Sequence, residues 1–182
     1  MKPALIFIIS TIAQLFLLVM LLRFWLPFLR ADFRNPIAQA ILRLTSPLVI
    51  PVRRVIPPIG RLDTATVIIA FVLQYLTVLI ILTISGLSAG ILPIAITALI
   101  DLVLLSLRLF TFAIFIHIIL SWIAPGTYNP ATAFIAMLVE PVMRPFRRLI
   151  QPIGGLDISP MFAIIGLMAL SILISSYKPL PF

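Results

Sequence analysis

Polar side chains interrupt apolar stretches of the sequence that are long enough to cross a membrane. Asp101 lies seven residues, or two helical turns, before Arg108, and His117 follows nine residues after Arg108. Gln14 and Arg23 repeat the nine-residue spacing earlier in the chain. Ionisable groups inside a bilayer are costly and are functional candidates by default. These side chains have two possible roles. They could be structural, as ion pairs, as residues at the membrane interface or as contacts between helices. Alternatively, they could line a path for cations or protons. Arg23 is expected to extend to the cytoplasmic surface.

Two arginine pairs, Arg53–Arg54 and Arg147–Arg148, could bind anionic groups. Lipid headgroups, a protein partner or a nucleotide would supply such groups. A simpler interpretation is that the pairs fix the topology of the chain and form ion pairs with nearby Asp63 and Asp157. A nucleic-acid partner is not expected, because the chain has no long basic tract and no recognisable nucleic-acid-binding module.

The residue inventory excludes several kinds of enzyme and cofactor site. The chain has no cysteine and one histidine, which excludes disulfides, thiolate metal sites and bis-histidine haem ligation. It contains neither a Walker loop nor a Gly-x-Gly-x-x-Gly motif. Ser121 follows His117 by four residues but lacks the glycine-flanked loop of a serine hydrolase. We therefore expect no enzymatic activity, no cofactor and no metal.

The composition indicates an all-α, polytopic membrane protein. Of the 182 residues, 63% are hydrophobic and only 10% are charged, whereas about a quarter of a soluble domain is charged. Apolar runs of about 20 residues predict four transmembrane helices. They lie at about residues 4–29, 64–84, 98–124 and 159–176, with residues 85–97 as a connection. A fifth crossing would arise if residues 91–124 folded back on themselves.

The chain contains an internal repeat with an offset of 94 residues. Residues 47–63 return as residues 141–157, with ten of 17 positions identical. We therefore predict two tandem units, residues 1–90 and 91–182. Each unit comprises a span, a short amphipathic interfacial helix, an arginine-pair segment and a second span.

Residues outside this segment correspond as well. The offset pairs Gln14 with Arg108 and Arg23 with His117, so polar residues recur at matching depths of the spans. Because proline, glycine and capping residues return in step, we expect them to shape the same turns in both units. These structural residues are Asn35, Pro36, Pro58, Gly60, Asp63, Asn129, Pro130, Pro152, Gly154 and Asp157.

The residues after the first span predict a helix that lies in the membrane interface. Asn35 is a good N-cap and Pro36 suits the first helical position. Pro47 and Pro51 are expected to end this helix. Its apolar face is predicted to consist of Ile37, Ile41, Leu44 and Leu48.

The basic stretch after this helix should turn the chain back into the bilayer. Pro58 and Gly60 predict a turn. Asp63 is then placed to cap the second span, and Asp157 has the corresponding place before the last span, with Ser159–Pro160 as a further cap.

The arginines also predict the orientation. Six of them lie between the first two spans and three lie between the last two, whereas residues 85–97 carry no charge. The positive-inside rule therefore places both basic segments in the cytoplasm and both termini outside, so that the two units are parallel. We expect a multi-pass protein of the bacterial inner membrane.

The doubled pattern Pro-x-Arg-Arg-x-Ile-x-Pro-x-Gly-x-x-Asp, each copy ahead of a span, resembles the YggT family of small bacterial inner-membrane proteins. Relatives in Gram-positive bacteria, cyanobacteria and plastids are called YlmG. The resemblance covers almost the whole chain, and the two-unit layout is similar to that of the proteobacterial members. It implies a role linked to osmotic tolerance and ion uptake, to cell division or nucleoid distribution, or, in plastids, to cytochrome b6 maturation. It implies no particular biochemical activity.

Two functional hypotheses follow. The first is a non-enzymatic scaffold or assembly factor, whose two arginine pairs bind anionic lipids and a membrane or cytoplasmic protein partner. The alternative is a small channel or transporter component that affects ion uptake and osmotic tolerance, with Gln14, Arg108 and His117 in its lumen. Four spans are few for a transporter monomer, so the alternative requires a homo-oligomer.

Overall fold

The computed structural model describes residues 1–123, 126, 129–150 and 157–180, and this part of the chain is all-α. Pro152 and Gly154 of the predicted turn motif, and Ala124 at the end of the predicted third span, lie outside the described residues. The helices of the described part are α1 (Lys2–Phe28), α2 (Pro36–Val55), α3 (Thr64–Ser85), α4 (Ile91–Ile123), α5 (Pro130–Leu149) and α6 (Ser159–Ser175).

Among the described residues, α1, α3 and α4 are the helices long and apolar enough to cross a membrane. The apolar helix α6 has 17 residues, so the fourth crossing stays a prediction. α4 is continuous over 33 residues, and the stretch that begins at Ile91 therefore does not fold back on itself. α4 begins at Ile91, before the predicted start of the third span at residue 98, and residues 86–90 connect α3 to α4.

Two residues explain why this connection is so short. Gly86 ends α3 in the left-handed conformation, with a φ of 75°, and its N–H bonds to the carbonyls of Leu82 and Thr83. Pro93 lies in the first turn of α4, where backbone N–H groups have no partner within the helix. A proline is tolerated there, so the helix includes it instead of beginning after it.

The two units pack into one bundle with a shared core. α1 packs against α3 and α4, and α4 also contacts α5 and α6. The main core cluster includes Leu26, Ala38, Ile114, Leu138 and Ala163, which come from five helices and are all almost inaccessible. Many other large apolar side chains of the spans point outward, as expected for helices that lipid surrounds.

Prolines do not end the second helix, contrary to the sequence prediction. α2 continues past Pro47 and Pro51, and α5 likewise continues past Pro141 and Pro145. Each proline leaves one backbone carbonyl without its helical partner. Pro47 and Pro51 are four residues apart and both exposed, so these carbonyls lie on the outer side of α2, where water or headgroups can bond to them. α2 and α5 are therefore longer than the short helices that the sequence predicts.

The predicted apolar face of α2 is divided between the protein core and the outside. Ile41 is buried in the core, whereas Leu44 and Leu48 are 66% and 46% exposed. Thr45 is inaccessible instead, and its hydroxyl accepts a hydrogen bond from Arg23. A polar contact thus sets the rotation of the helix, which an apolar pattern alone does not predict. The remaining buried residues of α2 are Ala38 and Val49.

Asn35 caps α2 and also joins the two units. Its Oδ1 accepts the N–H of Ile37 at 2.9 Å, which confirms the predicted cap. Its Nδ2 donates to the carbonyl of Pro130 at 2.8 Å, at the start of α5. The corresponding Asn129 forms a capping box on α5, which confirms the second predicted cap.

We expect Asn35→Ala to lower the free energy of unfolding by about 1–2 kcal/mol, because it removes both the cap and the bond between the units. Asn35→Asp keeps the acceptor and loses the donor, so it should recover the share that belongs to the cap. Thermal unfolding of the purified protein in detergent measures both changes. Wild-type stability of Asn35→Ala would contradict the expected role.

Candidate functional site

A buried cluster of charges lies where α3 begins. Asp63 directly precedes α3 and is 4% exposed. Its Oδ2 accepts hydrogen bonds from Arg23 Nε at 3.5 Å and from Thr66 Oγ1 at 2.8 Å, and it also pairs with Arg53. One carboxylate therefore links α1, α2 and α3. All three partners bind Oδ2, and Asp63 makes no side-chain hydrogen bond to the N–H groups of α3, so the sequence prediction that it caps this helix is wrong.

Arg23 is buried instead of extending to the membrane surface, so the predicted position of its side chain is wrong. Its Nη1 donates to Thr45 Oγ1 at 2.8 Å, and to the carbonyl of Leu42 and the hydroxyl of Ser46 at 3.3 Å each. α2 packs against α1 and supplies all three acceptors. Further hydrogen bonds to its polar atoms make a buried ion pair tolerable, and Nη1 of this guanidinium has three of them. The other oxygen of the pair, Asp63 Oδ1, is buried without a hydrogen-bond partner among the described residues.

The cluster keeps Asp63 ionised. Burial alone would raise the pKa of this carboxyl, but the hydrogen bond from Thr66 and the positive charges of Arg53 and Arg23 outweigh burial and lower the pKa below that of an ordinary aspartate. A native carboxyl with a lowered pKa binds fewer protons than it does in the unfolded chain. The stability that it contributes is therefore present at neutral pH and is lost as the pH falls through the lowered pKa.

The second unit has a corresponding but more open arrangement. Arg147 Nε bonds Asp157 Oδ2 at 3.0 Å, and its Nη1 bonds Glu140 Oε2 at 2.8 Å. Asp157 Oδ1 also accepts the N–H of Ser159, the first residue of α6, at 2.9 Å, although the residue at the N-cap position is Ile158 and not Asp157 as predicted. An arginine–aspartate pair of the predicted kind is thus present in both units.

His117 accounts for the difference between the units. It has the place of Arg23 in the repeat and lies within electrostatic reach of the pair formed by Arg147 and Asp157. The Asp157 side chain is 40% exposed, against 6% for Asp63. The shorter histidine does not tie its unit together as Arg23 does.

The other arginines of the basic segments form an exposed surface at one end of the bundle, where α2 and α5 contact each other. Whereas Arg53 and Arg147 bind carboxylates, their neighbours Arg54 and Arg148 are exposed. Arg144 is held by Glu140 at 3.3 Å. We call this surface the arginine face. Its members without a carboxylate partner in the described part of the chain are Arg30, Arg34, Arg43, Arg54, Arg61 and Arg148.

Two recesses open beside the arginine face. One has a volume of 410 Å³ and reaches inward from Arg61 and Gly60 to Asp63. The other, of 530 Å³, lies between the units and is lined by Arg30, Arg61 and Glu140. Gly60 has a φ of 60° and lies in the turn that the sequence predicts after Pro58. This turn brings Arg61 to the border of both recesses.

A polar cavity lies in the other half of the bundle, near the chain termini. It has a volume of 270 Å³, and α1, α3 and α4 supply most of its lining. Asp101 Oδ2 accepts a hydrogen bond from Gln74 Nε2 at 2.9 Å, and its Oδ1 binds Lys178 Nζ at 2.7 Å. Gln14 and Arg108 line the same cavity.

The structure therefore brings together three of the predicted intramembrane polar residues, Gln14, Asp101 and Arg108. His117 is not among the described residues that line the cavity, and nine residues of helix separate it from Arg108 by about 14 Å. Asp101 and Arg108 line the same cavity, in agreement with the shared face of α4 that their spacing predicts, and the ion-pair partner of Asp101 is Lys178.

Sequence reasoning missed two residues of the cavity. Gln74 carried a signal, since it is the strongly polar residue of the second span. No feature of the sequence indicates that Lys178 belongs to the cavity, because its position depends on the path of the chain after α6. Leu180 packs against Val78 and Leu82 near the end of α3, which holds this tail over the cavity.

Comparison with known proteins identifies the family. The CCB3/YggT model matches the chain twice, over residues 3–84 and 96–177. The chain belongs to the CCB3/YggT family. The double match agrees with the internal repeat, although the boundary between the units at residues 90 and 91 stays a prediction.

Three bacterial proteins are similar to this chain over most of its length. A Pseudomonas aeruginosa protein is 42% identical over 96% of this chain and 89% of its own length. A Vibrio alginolyticus protein from the proC 3′ region is 39% identical over 88% of each chain. YggT of Escherichia coli K12 is 32% identical over 91% of this chain and 86% of its own. All three are described as uncharacterised, and none of their names specifies an activity. No solved structure gives a significant match.

We expect Arg23→Ala to lower the free energy of unfolding of this YggT-family protein by about 3–5 kcal/mol, because it breaks a buried, hydrogen-bonded ion pair. Arg147→Ala, at the exposed pair of the second unit, should cost about 1 kcal/mol or less. Chemical unfolding of both variants in detergent measures the difference. Equal losses would show that burial of the Arg23–Asp63 pair has no special importance.

Proposed function

We propose that this YggT-family protein is a non-enzymatic scaffold of the bacterial inner membrane. Its arginine face lies at the cytoplasmic surface, where it binds anionic lipid headgroups and holds a membrane or cytoplasmic protein partner. The proposal is supported by the separation of the arginines into two sets. Arg53 and Arg147 bind carboxylates of the protein itself, whereas six others are exposed without such a partner among the described residues. The second set is available to external anions.

The environment of these arginines suits a membrane surface. Leu44 is 66% exposed beside Arg43, Val55 is 81% exposed beside Arg54, and Leu149 is 82% exposed beside Arg148. A helix that combines outward apolar and basic side chains lies in the interface, with its apolar groups among the upper acyl chains and its charges among the headgroups.

The expected energies are sufficient for lipid selection. Each arginine near an anionic surface contributes about 1 kcal/mol, and salt screens this attraction over about 10 Å. The recesses of 410 and 530 Å³ beside Arg61 give a headgroup room to approach the guanidinium closely. Sequence reasoning assigned docking to Arg53, Arg54, Arg147 and Arg148 alike. The proposal now assigns it to Arg54 and Arg148, with the other unpaired arginines of the face.

We expect the triple variant Arg43→Gln, Arg54→Gln and Arg148→Gln to reduce the preference for phosphatidylglycerol over phosphatidylcholine by roughly tenfold or more. Energy transfer from protein tryptophan to labelled lipid in mixed nanodiscs measures this preference. Lys2→Gln is the control, because it removes a positive charge at the opposite end of α1. An unchanged preference in the folded triple variant would remove the proposal.

The polar cavity favours a second candidate function, a channel or transporter component that works as a homo-oligomer. Gln14, Asp101 and Arg108 line one cavity, as a transport path would require. His117 lies elsewhere and is not part of this candidate. The cavity is at the opposite end of the bundle from the arginine face, so the two candidate functions are separable by mutation.

A further inference from the structure

One edge of the buried Arg23 guanidinium has no partner within the described residues. A guanidinium carries five N–H donors on three nitrogens. Nε donates to Asp63, and Nη1 donates to three acceptors on α2. Nη2 makes no hydrogen bond in the described part of the chain, although Arg23 is only 4% exposed. The two N–H groups of a buried cation are therefore left for a partner from outside the protein.

This edge can be reached from the surface. Arg23 Nη2 is not among the inaccessible side-chain atoms that lack a partner in the described segments, whereas Asp63 Oδ1 is. Arg23 also lines the recess of 410 Å³ that opens beside Arg61 and Gly60. Nη2 is thus open to this recess, and the inner oxygen of Asp63 is closed to it.

The lining of the recess is positively charged. Its ionisable residues in the described part of the chain are Arg23, Arg53, Arg61 and Asp63, three cations against one carboxylate. Asp63 Oδ2 already accepts three donors and Oδ1 is inaccessible, so the carboxylate offers no ligand atom to a cation. The exposed side chain of Arg61 makes no hydrogen bond or ion pair with the described residues. The recess therefore favours an anion.

The position of the donors indicates what kind of anion fits. Arg23 belongs to α1, whereas Arg61 belongs to the turn before α3. A planar carboxylate presents two oxygens in one plane, but a tetrahedral phosphate accepts hydrogen bonds from guanidinium groups on separate elements. Much of the remaining wall is apolar and consists of Leu26, Pro27, Phe33, Leu42 and Pro58. A phosphate ester suits both parts, with its phosphate on the arginines and its organic part on the apolar wall.

We propose that this recess is a specific site for the phosphate group of a phosphate ester, bound once per chain. Arg23 Nη2 and the Arg61 guanidinium are its ligands, and Asp63 holds Arg23 in place. The inference rests on the proposed function in that phospholipids at the membrane surface supply such esters to the arginine face. It goes further by assigning one defined site to the first unit. His117 replaces Arg23 in the second unit, and an imidazole has at most two N–H groups.

The lipid arm of the test is native mass spectrometry of the full-length, delipidated protein in neutral detergent with short-chain phosphatidylglycerol. We expect one lipid per chain to bind roughly tenfold more tightly than any further lipid, and diacylglycerol, which lacks the phosphate, not to bind. Arg61→Gln should weaken this site by roughly tenfold or more, whereas the control Lys2→Gln should keep it. Thermal unfolding verifies that each variant is folded. Wild-type affinity of this site in folded Arg61→Gln would overturn the proposal.

Arg23→Lys separates the ligand role of Arg23 from its structural role. Lysine keeps the charge beside Asp63 but has a single nitrogen, so it cannot hold the acceptors on α2 and a phosphate together. We expect folded Arg23→Lys to lose the tight site, and retention of the site would contradict the assignment. An equal loss in Arg30→Gln, which borders the second recess and not this one, would also overturn it.

The soluble arm uses glycerol 3-phosphate and broadening of its ³¹P nuclear magnetic resonance line. Broadening that Arg61→Gln removes, without tight phosphatidylglycerol binding, would support the site and assign it to a soluble phosphate ester. Absence of binding in both arms would overturn the proposal. The proposed function fails separately, because Arg43, Arg54 and Arg148 of the triple variant do not line this recess. Loss of lipid preference there tests the surface, and Arg61→Gln tests the recess.

Discussion

The buried pair of Arg23 and Asp63 is the constraint on which the first unit depends. Its polar atoms need partners, and those partners lie on two other helices: Thr45 and Arg53 on α2, and Thr66 on α3. The chain must therefore run across the end of α1 and turn back before α3 begins. The left-handed turn at Gly60 and the rotation of α2 toward Thr45 are consequences of satisfying this pair, since an isolated buried charge would cost several kcal/mol.

The same constraint decides which arginines remain for other tasks. Arg53 forms an ion pair with the buried Asp63, and Arg147 forms the corresponding ion pair with Asp157. Their sequence neighbours Arg54 and Arg148 are exposed. The second unit replaces Arg23 by His117 and keeps its pair exposed. One outward arginine, Arg54 in the first unit and Arg148 in the second, is thus common to both units, while only the first unit keeps the buried anchor.

Much of the fold follows from local sequence, and the features that the sequence does not predict share a physical cause. Membrane-length apolar runs, the repeat and the caps at Asn35 and Asn129 depend on nearby residues, so they could be predicted. Three features depend on contacts with other helices or with the surroundings, so a local sequence pattern does not predict them. They are the position of the Arg23 side chain, the rotation of α2 and the extension of α2 past Pro51. The same holds for the cavity: Gln14, Asp101 and Arg108 were recognisable as polar residues in spans, but the approach of Lys178 depends on the fold of the tail.

The central claim is that both arginine segments lie on one side of the membrane, in the cytoplasm, and single-cysteine labelling tests it most directly. The chain has no cysteine of its own, and Val55 and Leu149 are 81% and 82% exposed beside the outward arginines. Cysteines placed there should react with an impermeant thiol reagent only after cell lysis. A cysteine at Leu87, in the uncharged connection, should react in intact cells. Labelling of either Val55→Cys or Leu149→Cys in intact cells would contradict the account, because one basic segment would then face outward.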